Sequence, residues 1–306
     1  MADDNTCRVL SIQSSVVYGY VGNKSASFPL QLLGFDVSPI NSVQFSNHTG
    51  YKTFKGQVLH SGEVSNLYEG LKLNGLPKFS HILTGYIGSS SFLEKVSEIV
   101  LDLRKHNPNL IFACDPVMGD NGKLYVKPEL LPVYRDKVVP LADIVTPNQF
   151  EAELLSGVKI TSEAEALLAM EKLHQCGPKT VVLSSTNLGS EGHLLCMASS
   201  VRNGKRECYK LQFPSLPVYF SGTGDLFSAL LLAWLQRDDD LKLALEKTVA
   251  CVQAVLKRTM EYAQAQHKND EALSKPSPDS MELRLVQSKT DIENPTIVYK
   301  ASSIPL

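Results

Sequence analysis

The sequence predicts an α/β fold, a three-layer αβα sandwich with a mostly parallel central sheet. Two observations carry this prediction: short apolar strand patterns alternate with helical patterns, and polar, glycine-bearing segments come directly after the strands. Alternating strands and helices form right-handed βαβ units, in which helices cover both faces of a parallel sheet. No internal repeat, low-complexity segment or linker interrupts the pattern, so we expect a single domain over residues 1–306.

The predicted elements follow from apolar periodicity and from the residues that end each run. Gly34 and Gly157 each follow a helical pattern, and Asn107-Pro108 ends another. A polar turn joins two antiparallel strands near residue 204. The predicted strands are 7–13, 36–43, 81–84, 110–114, 143–145, 180–183, 193–198 and 207–213. The predicted helices are 23–33, 63–73, 92–106, 148–155, 162–175, one that follows residues 222–225, and 241 to about 266.

Composition and charge argue against two classes of partner. The 306 residues are 43% hydrophobic and 20% charged, with a net charge of −2 at pH 7, which is ordinary for a globular chain. No run of lysine and arginine forms a basic stripe, so we expect neither nucleic acid nor an anionic membrane as a partner. The longest strongly apolar helical segment, 226–235, is too short to span a bilayer.

The expected location is cytoplasmic. Residues 1–6 are polar and acidic, whereas a signal peptide needs a basic start and an apolar core. The six cysteines are scattered, with no C-x-x-C pair and no metal-ligand spacing. Buried, reduced thiols are the simple interpretation, and they favour a reducing compartment.

Residues 221–225 (Ser-Gly-Thr-Gly-Asp) lead directly into an apolar run that predicts a buried helix. The two glycines let the backbone turn tightly and leave room for a ligand. The first N–H groups of a helix lack intrahelical partners and lie at the positive end of its dipole, so they form an anion site. With Asp225 as a base, such a site suits phosphoryl transfer to an alcohol. The alternative is a glycine-rich loop in which Asp225 only caps the helix.

Residues 19–25 (Gly-Tyr-Val-Gly-Asn-Lys-Ser) only partly match a nucleotide phosphate loop. That motif needs four residues between its glycines and an adjacent Gly-Lys pair. Here two residues separate Gly19 from Gly22, and Asn23 separates Gly22 from Lys24. No G-x-G-x-x-G follows the first strand either, which disfavours a dinucleotide-binding fold. We interpret the segment as a loop that enters a helix.

Two segments that follow predicted strands carry candidate metal ligands. Asp115 and Asp120 lie just past a buried strand, where they suit Mg²⁺ together with substrate phosphates. The alternative is turn chemistry, because Asp, Pro and Gly are turn residues. Asn148 and Glu151 follow another strand, and they indicate either a magnesium or phosphate site or a capping box at a helix start.

Residues 44–51 (Gln-Phe-Ser-Asn-His-Thr-Gly-Tyr) mix aromatic rings with hydrogen-bonding groups. This mixture suits a flat, polar heteroaromatic ligand. A lone histidine such as His48 is more often a structural hydrogen-bonding group than a catalyst. Because ligands bind at the carboxyl ends of the strands in such sheets, we expect all these segments to lie along one edge.

Taken together, seven ordered segments resemble the ribokinase-like superfamily and, within it, the pyridoxal kinase family. They span nearly the whole chain, which makes the set far more specific than any one motif. The segments are residues 11–14, 19–23, 41–51, 83–86, 114–120, 146–157 and 222–227. The resemblance implies a ribokinase-like fold and ATP-dependent phosphorylation of the 5′-hydroxyl of pyridoxal, pyridoxine or pyridoxamine, a vitamin B6 salvage reaction.

By this resemblance, Asp225 is the base that takes the hydroxyl proton. The backbone N–H groups that would stabilise the transferring phosphoryl group are those of Gly222, Thr223 and Gly224. The implied vitamer contacts are Ser14, Thr49 and Tyr86, with Val21, Val43, Phe45 and His48 lining the pocket. The implied ATP contacts are Asp115, Tyr125, Thr146, Ser184, Ser185, Thr223 and Gly224. The implied ligands of Mg²⁺, or of another divalent ion, are Asp115, Asp120, Thr146, Asn148 and Glu151.

The resemblance also implies a bound K⁺ or Na⁺ ion and a homodimer, and the sequence departs from the family in two places. Vertebrate members usually carry an arginine two positions after Tyr86, where this chain has Gly88. The loop 119–125, which covers ATP in the family, is shorter than in those members, so affinity, turnover and closure are expected to differ. Two alternatives stay open: a hydroxymethylpyrimidine kinase of the same superfamily, and a non-catalytic binder of pyridoxal phosphate or nucleotide.

Overall fold

The computed structural model describes residues 7–202, 204–267 and 276–305, and it confirms the predicted α/β class. Residues 1–6, on which the expectation about a signal peptide rests, lie outside these ranges. The strands are β1 (Arg8–Val16), β2 (Asp36–Phe45), β3 (Gly56–Val58), β4 (His81–Thr84), β5 (Ile111–Cys114), β6 (Gly119–Asp120), β7 (Lys123–Leu124), β8 (Ile144–Val145), β9 (Thr180–Thr186), β10 (His193–Arg202), β11 (Lys205–Pro214) and β12 (Ser302–Ser303). The helices are α1 (Asn23–Leu32), α2 (Ser61–Leu73), α3 (Ser90–His106), α4 (Leu130–Val133), α5 (Gln149–Ser156), α6 (Glu163–Cys176), α7 (Thr223–Asp238), α8 (Leu241–His267) and α9 (Lys289–Glu293).

The central sheet has the strand order β12-β11-β10-β9-β8-β5-β4-β1-β2-β3 within the described residues. The six strands from β9 to β2 in this order pair in parallel. Antiparallel pairs lie only at the two ends, where β3 pairs with β2 and where β10, β11 and β12 extend the sheet beyond β9. The mostly parallel sheet and the predicted β10–β11 hairpin are therefore confirmed.

Two apolar cores, one on each face of the sheet, make the molecule three-layered. Ile82 and Phe112 pack into the core that contains α2, α3, α5 and α6, whereas their neighbours Leu83 and Ala113 pack into the core that contains α1, α7 and α8. Successive strand residues point to opposite faces, and β4 is buried at all four of its positions. A strand buried on both faces is typical of a parallel sheet covered by helices.

Local signals in the sequence account for several element ends. Ser162 caps α6 by accepting a hydrogen bond from the Glu165 N–H, and Ser89 caps α3 in the same way. Gly157 ends α5 in a left-handed conformation with φ of 68°, which favours glycine because it has no Cβ.

The structure adds elements that we did not predict. Residues 130–141 form α4, a short π-helical turn and a 3-10 turn in succession, where Pro132 and Pro140 obscure any helical pattern. β1 and β9 each run three residues further than predicted. Among the described residues, no helix combines the length and the apolar character needed to cross a membrane.

Candidate active site

A cavity of about 870 Å³ opens at the carboxyl ends of β5, β8 and β9, beside the first turn of α7. All of the residues predicted for ATP, metal and catalysis line it, so one edge of the sheet does collect them, as expected. Apolar side chains of α8, among them Val252 and Leu256, form another wall. The predicted residues that line the cavity are Asp115, Asp120, Tyr125, Thr146, Asn148, Glu151, Ser184, Ser185, Gly222, Thr223, Gly224 and Asp225.

The turn at residues 222–225 is the start of α7. Gly222 occupies the N-cap position with φ of 82°, and a Cβ there would lie 2.1 Å from the Tyr20 carbonyl oxygen. Both the positive φ and this close approach require glycine. The Thr223 hydroxyl is buried and has no hydrogen-bond partner among the described residues. The first turn therefore presents unpaired polar groups at the positive end of a helix, as an anion site requires.

Asp225 is held from the other side by the loop at residues 19–22. The Gly22 N–H donates a hydrogen bond of 2.7 Å to Asp225 Oδ2, and Ser25 Oγ donates to the Gly222 carbonyl at 3.0 Å. Burial raises the pKa of Asp225, and the Gly22 N–H opposes that rise. Asp225 thus keeps a fixed orientation while its side chain remains partly exposed.

The loop at residues 19–22, which contains the predicted pocket residue Val21, also has a role at Asp225 that sequence reasoning missed. It does enter α1, as predicted, but the Gly22 N–H also contacts Asp225. Gly22 has φ of 55° and lies so close to β1 that a Cβ would be 2.0 Å from the Ser14 carbonyl oxygen. The only local signal was the pair of glycines, which by itself cannot indicate a contact 203 residues away.

Asp115, which directly follows β5, is a carboxylate under electrostatic strain in the cavity. Only 4% of it is exposed, and its Oδ2 has no hydrogen-bond partner among the described residues. Burial, followed by the negative charges of Glu151 and Asp225, holds the pKa of Asp115 well above its usual value. A cation near this oxygen would relieve that strain. The unpartnered oxygen and its acidic neighbours thus fit a bound cation.

Asn148 and Glu151 form the capping box that was one of their two predicted interpretations. Asn148 Oδ1 accepts the Glu151 N–H at 2.9 Å, and Glu151 Oε2 accepts the Asn148 N–H at 3.0 Å. Glu151 Oε1 also accepts the N–H groups of Met118 and Gly119. Burial raises the pKa of Glu151 to about 7, against the lowering effect of these backbone hydrogen bonds. Both side chains are therefore engaged in structural hydrogen bonds.

The other predicted cavity residues differ in how firmly they are held. Thr146 Oγ1 lies 2.8 Å from Ser228 Oγ on α7, and Asp120 accepts hydrogen bonds from the neighbouring Asn121. The short loop 119–125 folds as the β6–β7 hairpin around Asn121-Gly122, both with positive φ, as a two-residue hairpin turn requires. At its end the exposed Tyr125 hydroxyl lies 3.1 Å from that of Tyr219.

Among the described residues of the cavity, protein side chains alone do not form a complete metal site. Within residues 7–202, 204–267 and 276–305, no three His, Cys, Asp or Glu side chains come close enough together to hold a metal ion by themselves. Mg²⁺ commonly uses only one or two carboxylates and completes its shell with water and phosphate oxygens. Asp115 matches that use best, because the carboxylate of Glu151 is already occupied by three backbone N–H groups.

The seven residues predicted for vitamer binding lie on the other side of Asp225. All seven belong to the described part of the chain, and none of them lines the cavity. The strand order places β4, β1 and β2 side by side. Tyr86 follows β4, whereas Ser14 and Val43 lie near the carboxyl ends of β1 and β2. The Ser42 hydroxyl donates to the Tyr86 carbonyl at 2.6 Å. The full set is Ser14, Val21, Val43, Phe45, His48, Thr49 and Tyr86.

Their surroundings are aromatic, as predicted for residues 44–51. The ring of Phe45 lies 5.1 Å from that of Phe54, and the ring of His48 lies 4.7 Å from that of Tyr51. Burial raises the pKa of Tyr86. Gly88 lies beside the Tyr86 hydroxyl, since a Cβ at position 88 would be 3.3 Å from it. An arginine there would therefore begin in contact with Tyr86.

The β5 side of Asp225 comprises the cavity with Asp115, Glu151 and Tyr125. The β1 side comprises the loop 19–22, the segment 42–51 and Tyr86. The first turn of α7 lies between them: it lines the cavity and is hydrogen-bonded to the loop 19–22. Asp225 therefore contacts both sides.

Comparison with known proteins assigns the family. A sequence profile described as Phosphomethylpyrimidine kinase matches residues 77–270. The human protein named Pyridoxal kinase is 51% identical over 312 aligned residues, which cover 98% of this chain and 99% of that protein. The chain belongs to the pyridoxal kinase family. The pyridoxal kinase of Arabidopsis thaliana is 53% identical over 301 residues, covering 97% of this chain and 94% of that protein.

The same family appears among solved structures. A pyridoxal kinase from Leishmania donovani, in complex with ADP and pyridoxamine, superimposes with a TM-score of 0.89. The match covers 97% of this chain and 99% of that one, at 36% sequence identity. The resemblance inferred from seven sequence segments is thus confirmed, as is the ribokinase-like fold. As a member of the pyridoxal kinase family, the chain is an enzyme of the kinase class.

Proposed function

We propose that this protein transfers the terminal phosphoryl group of ATP to the 5′-hydroxyl of pyridoxal, pyridoxine and pyridoxamine, forming pyridoxal 5′-phosphate from pyridoxal. One observation carries the proposal beyond family membership. Asp225 stands at the start of α7, between a polar cavity large enough for a nucleotide and an aromatic segment suited to a heteroaromatic alcohol. A base at that boundary can meet a donor and an acceptor from opposite sides.

In the proposed reaction, Asp225 accepts the proton of the attacking hydroxyl. The Gly22 N–H holds Oδ2 in place, so the carboxylate needs little reorganisation when the alcohol arrives. The backbone N–H groups of Gly222, Thr223 and Gly224 face the charge that develops on the transferring phosphoryl group. Positioning and electrostatic stabilisation of this kind carry most of the catalysis in phosphoryl transfer.

The nucleotide is proposed to bind on the β5 side. The unpartnered Thr223 hydroxyl supports a phosphate contact at the helix start. Apolar side chains of α8 offer a surface for the base. The proposed ATP contacts are Asp115, Tyr125, Thr146, Ser184, Ser185, Thr223 and Gly224. The proposed vitamer contacts on the β1 side are Ser14, Val21, Val43, Phe45, His48, Thr49 and Tyr86.

A divalent ion, Mg²⁺ in the simplest case, fits beside Asp115. When bound, it would neutralise phosphate charge next to three acidic side chains whose pKa values burial already raises. Asp115 would contact it directly. Asn148 and Glu151, occupied by the capping box, and Thr146, bonded to Ser228, would orient water around it, as would the more exposed Asp120.

Three further properties are proposed on the family resemblance alone: a bound K⁺ or Na⁺ ion, a homodimer and a cytoplasmic location. Activity with and without K⁺ tests the first, and light scattering after gel filtration tests the second. Imaging of the tagged protein in cells tests the third.

The deciding experiment is product detection after incubation with ATP, Mg²⁺ and each of two alcohols, pyridoxal and hydroxymethylpyrimidine. We expect pyridoxal 5′-phosphate, and slower or no turnover of the pyrimidine. Turnover of the pyrimidine alone would overturn the proposal in favour of the related kinase. Binding of both ligands with no product would overturn it in favour of a non-catalytic binder.

A further inference from the structure

Glu282 is a buried carboxylate beside the β1 side that no part of the proposed reaction uses. It follows the 3-10 turn Pro278–Met281, in the last described stretch of the chain, and only 9% of it is exposed. A carboxylate is rarely buried unless its oxygens are occupied. Its contacts therefore need an explanation.

Each oxygen of Glu282 holds a different segment of the β1 side. Oε2 accepts the Tyr20 N–H at 2.9 Å, and Oε1 accepts the Tyr51 hydroxyl at 2.9 Å. Burial first, and Glu282 second, raise the pKa of the Tyr51 phenol, which therefore stays protonated as a donor. Gly19 makes room for the carboxylate, because a Cβ there would lie 2.2 Å from both oxygens.

His48 is the third group held by this carboxylate. Its Nε2 lies 3.4 Å from Glu282 Oε1, and its Nδ1 accepts the Gly50 N–H at 3.0 Å. Since Nδ1 accepts, the proton of the neutral ring is on Nε2 and faces Glu282. Ser221 Oγ lies 3.4 Å from the same Nδ1. The ring of His48 therefore lies between Glu282 and the residue that precedes Gly222.

Two routes thus lead from Glu282 to the proposed base. The first route runs through Tyr20, whose N–H donates to the carboxylate and whose carbonyl packs against Gly222. Tyr20 also lies two positions before Gly22, which donates its N–H to Asp225. Through His48, the carboxylate reaches Ser221, the first residue of the catalytic segment. The three residues that contact the Glu282 carboxylate, Tyr20, Tyr51 and His48, all belong to the β1 side, and none of the three lines the cavity.

We infer that Glu282 is a positioning residue for the phosphate acceptor: it fixes the loop 19–22 and His48, and through them the vitamer pocket and the orientation of Asp225. This inference rests on the proposed function, because it assigns the β1 side to the vitamer. Glu282 touches neither of the reacting groups. Its effect is on where the alcohol and the base lie relative to each other.

Glu282→Gln tests the inference with little change in volume. All three neighbouring groups present a proton to the carboxylate, whereas an amide offers one oxygen and one NH₂ group. Either the Tyr20 N–H or the Tyr51 hydroxyl then loses its acceptor. We expect KM for pyridoxal to rise about tenfold and kcat to fall by a similar factor, the order set by losing a hydrogen bond to a charged group.

The matched control is Glu293→Gln, an exposed glutamate at the end of α9 in the same part of the chain. We expect wild-type kinetics from it. In Glu282→Gln we expect KM for ATP to stay within about twofold of wild type, because the β5 side is not touched. Calorimetric titration with pyridoxal should show the weaker binding without turnover.

The outcomes separate the inference from the proposed function. If the wild-type protein does not phosphorylate pyridoxal, the proposed function fails. If wild type is active and Glu282→Gln has wild-type constants, only the inference fails. Equal losses for ATP and pyridoxal, with a lower melting temperature, would also overturn it, because they indicate general destabilisation. Should Glu282→Gln not fold, Tyr51→Phe decides: an unchanged KM for pyridoxal overturns the inference, and a rise supports it.

Discussion

On the β1 side of Asp225, hydrogen bonds join residues that are far apart in sequence. Tyr20 and Glu282 are 262 positions apart, Tyr51 and Glu282 are 231 apart, and Gly22 and Asp225 are 203 apart. On the β5 side, hydrogen bonds span fewer positions: 94 between Tyr125 and Tyr219, 82 between Thr146 and Ser228, and only a few at the caps and turns. Asn148 and Glu151 cap a helix across three positions, and Asp120 bonds to its neighbour Asn121.

This difference indicates how each half of the site is organised. The β5 side is built largely from turns and caps that form where a strand ends and a helix begins, with a few longer contacts added. The β1 side exists only when the start, the middle and the end of the chain are folded together. We therefore expect the β1 side to be more sensitive to single changes in packing.

The largest effect is expected from Asp225→Asn. It keeps the shape of the side chain but removes the base, and a general base contributes at least about a hundredfold to rate. We expect kcat to fall by at least that factor while ATP still binds. Steady-state kinetics and calorimetric titration with ATP measure the two properties. An unchanged kcat would show that Asp225 only caps the helix.

A smaller but still large effect is expected from Gly22→Ala. The new Cβ would lie 2.0 Å from the Ser14 carbonyl oxygen, so the loop must move and take the N–H donor away from Asp225. A misplacement of about 1 Å at a reacting group can cost as much as a hundredfold in rate, and we expect kcat to fall by at least about tenfold.

Gly34→Ala is the matched control for that change. Gly34 has φ of 90° and nothing within 4 Å of the new Cβ. The alanine therefore lowers stability only through the unfavourable left-handed backbone conformation, by about 1–2 kcal/mol. We expect a lower melting temperature and normal kcat per folded molecule. If the two variants lose kcat equally, the position of the Gly22 N–H does not matter.

Stability should depend on pH differently on the two sides, because the pKa of Glu151 on the β5 side is raised and that of His48 on the β1 side is lowered. Burial raises the pKa of Glu151 from 4.5 to about 7, so the folded state binds the proton more tightly. The stability this contributes is present below pH 4.5 and is lost as pH rises through about 7. Burial lowers the pKa of His48 below 6.5, with Glu282 opposing. The stability that His48 contributes is present above pH 6.5 and is lost as pH falls through its folded pKa.

The free energy of unfolding of Glu151→Gln, His48→Asn and wild type, measured between pH 4.5 and 8, tests the direction of both pKa shifts. Relative to wild type, we expect Glu151→Gln to gain stability as pH rises and His48→Asn to lose it. For one proton the slope is at most about 1.4 kcal/mol per pH unit. Parallel curves for all three proteins would contradict the assigned shifts.

The smallest effect is expected from Tyr219→Phe on the β5 side. It removes the contact between the hydroxyls of Tyr219 and Tyr125 at the cavity, a surface hydrogen bond worth about 1 kcal/mol or less. We expect KM for ATP to rise about threefold and KM for pyridoxal to stay unchanged. Tyr299→Phe, outside the cavity lining, is the control. An effect on pyridoxal alone would contradict the assignment of sides.

The local chemistry of the sequence was enough to predict much of the molecule. The ends of α3, α5 and α6, the four residues of β4 and the capping box at Asn148 all follow from residues within a few positions of one another. The helix start at residues 222–225 was likewise visible in its glycines and the apolar run behind it. The ordered set of such segments also indicated the family, which the comparisons confirm.

The tertiary structure decided what surrounds Asp225. Nothing near Gly22 in the sequence indicates that its N–H holds Asp225, and nothing near Glu282 indicates that its carboxylate joins Tyr20, Tyr51 and His48. Caps and turns are local because their partners are a few bonds away along the chain. Contacts across more than 200 residues depend on the parallel sheet bringing those segments to one edge. For that reason the sequence by itself determined the elements and the family, and only the fold determined how the base is held.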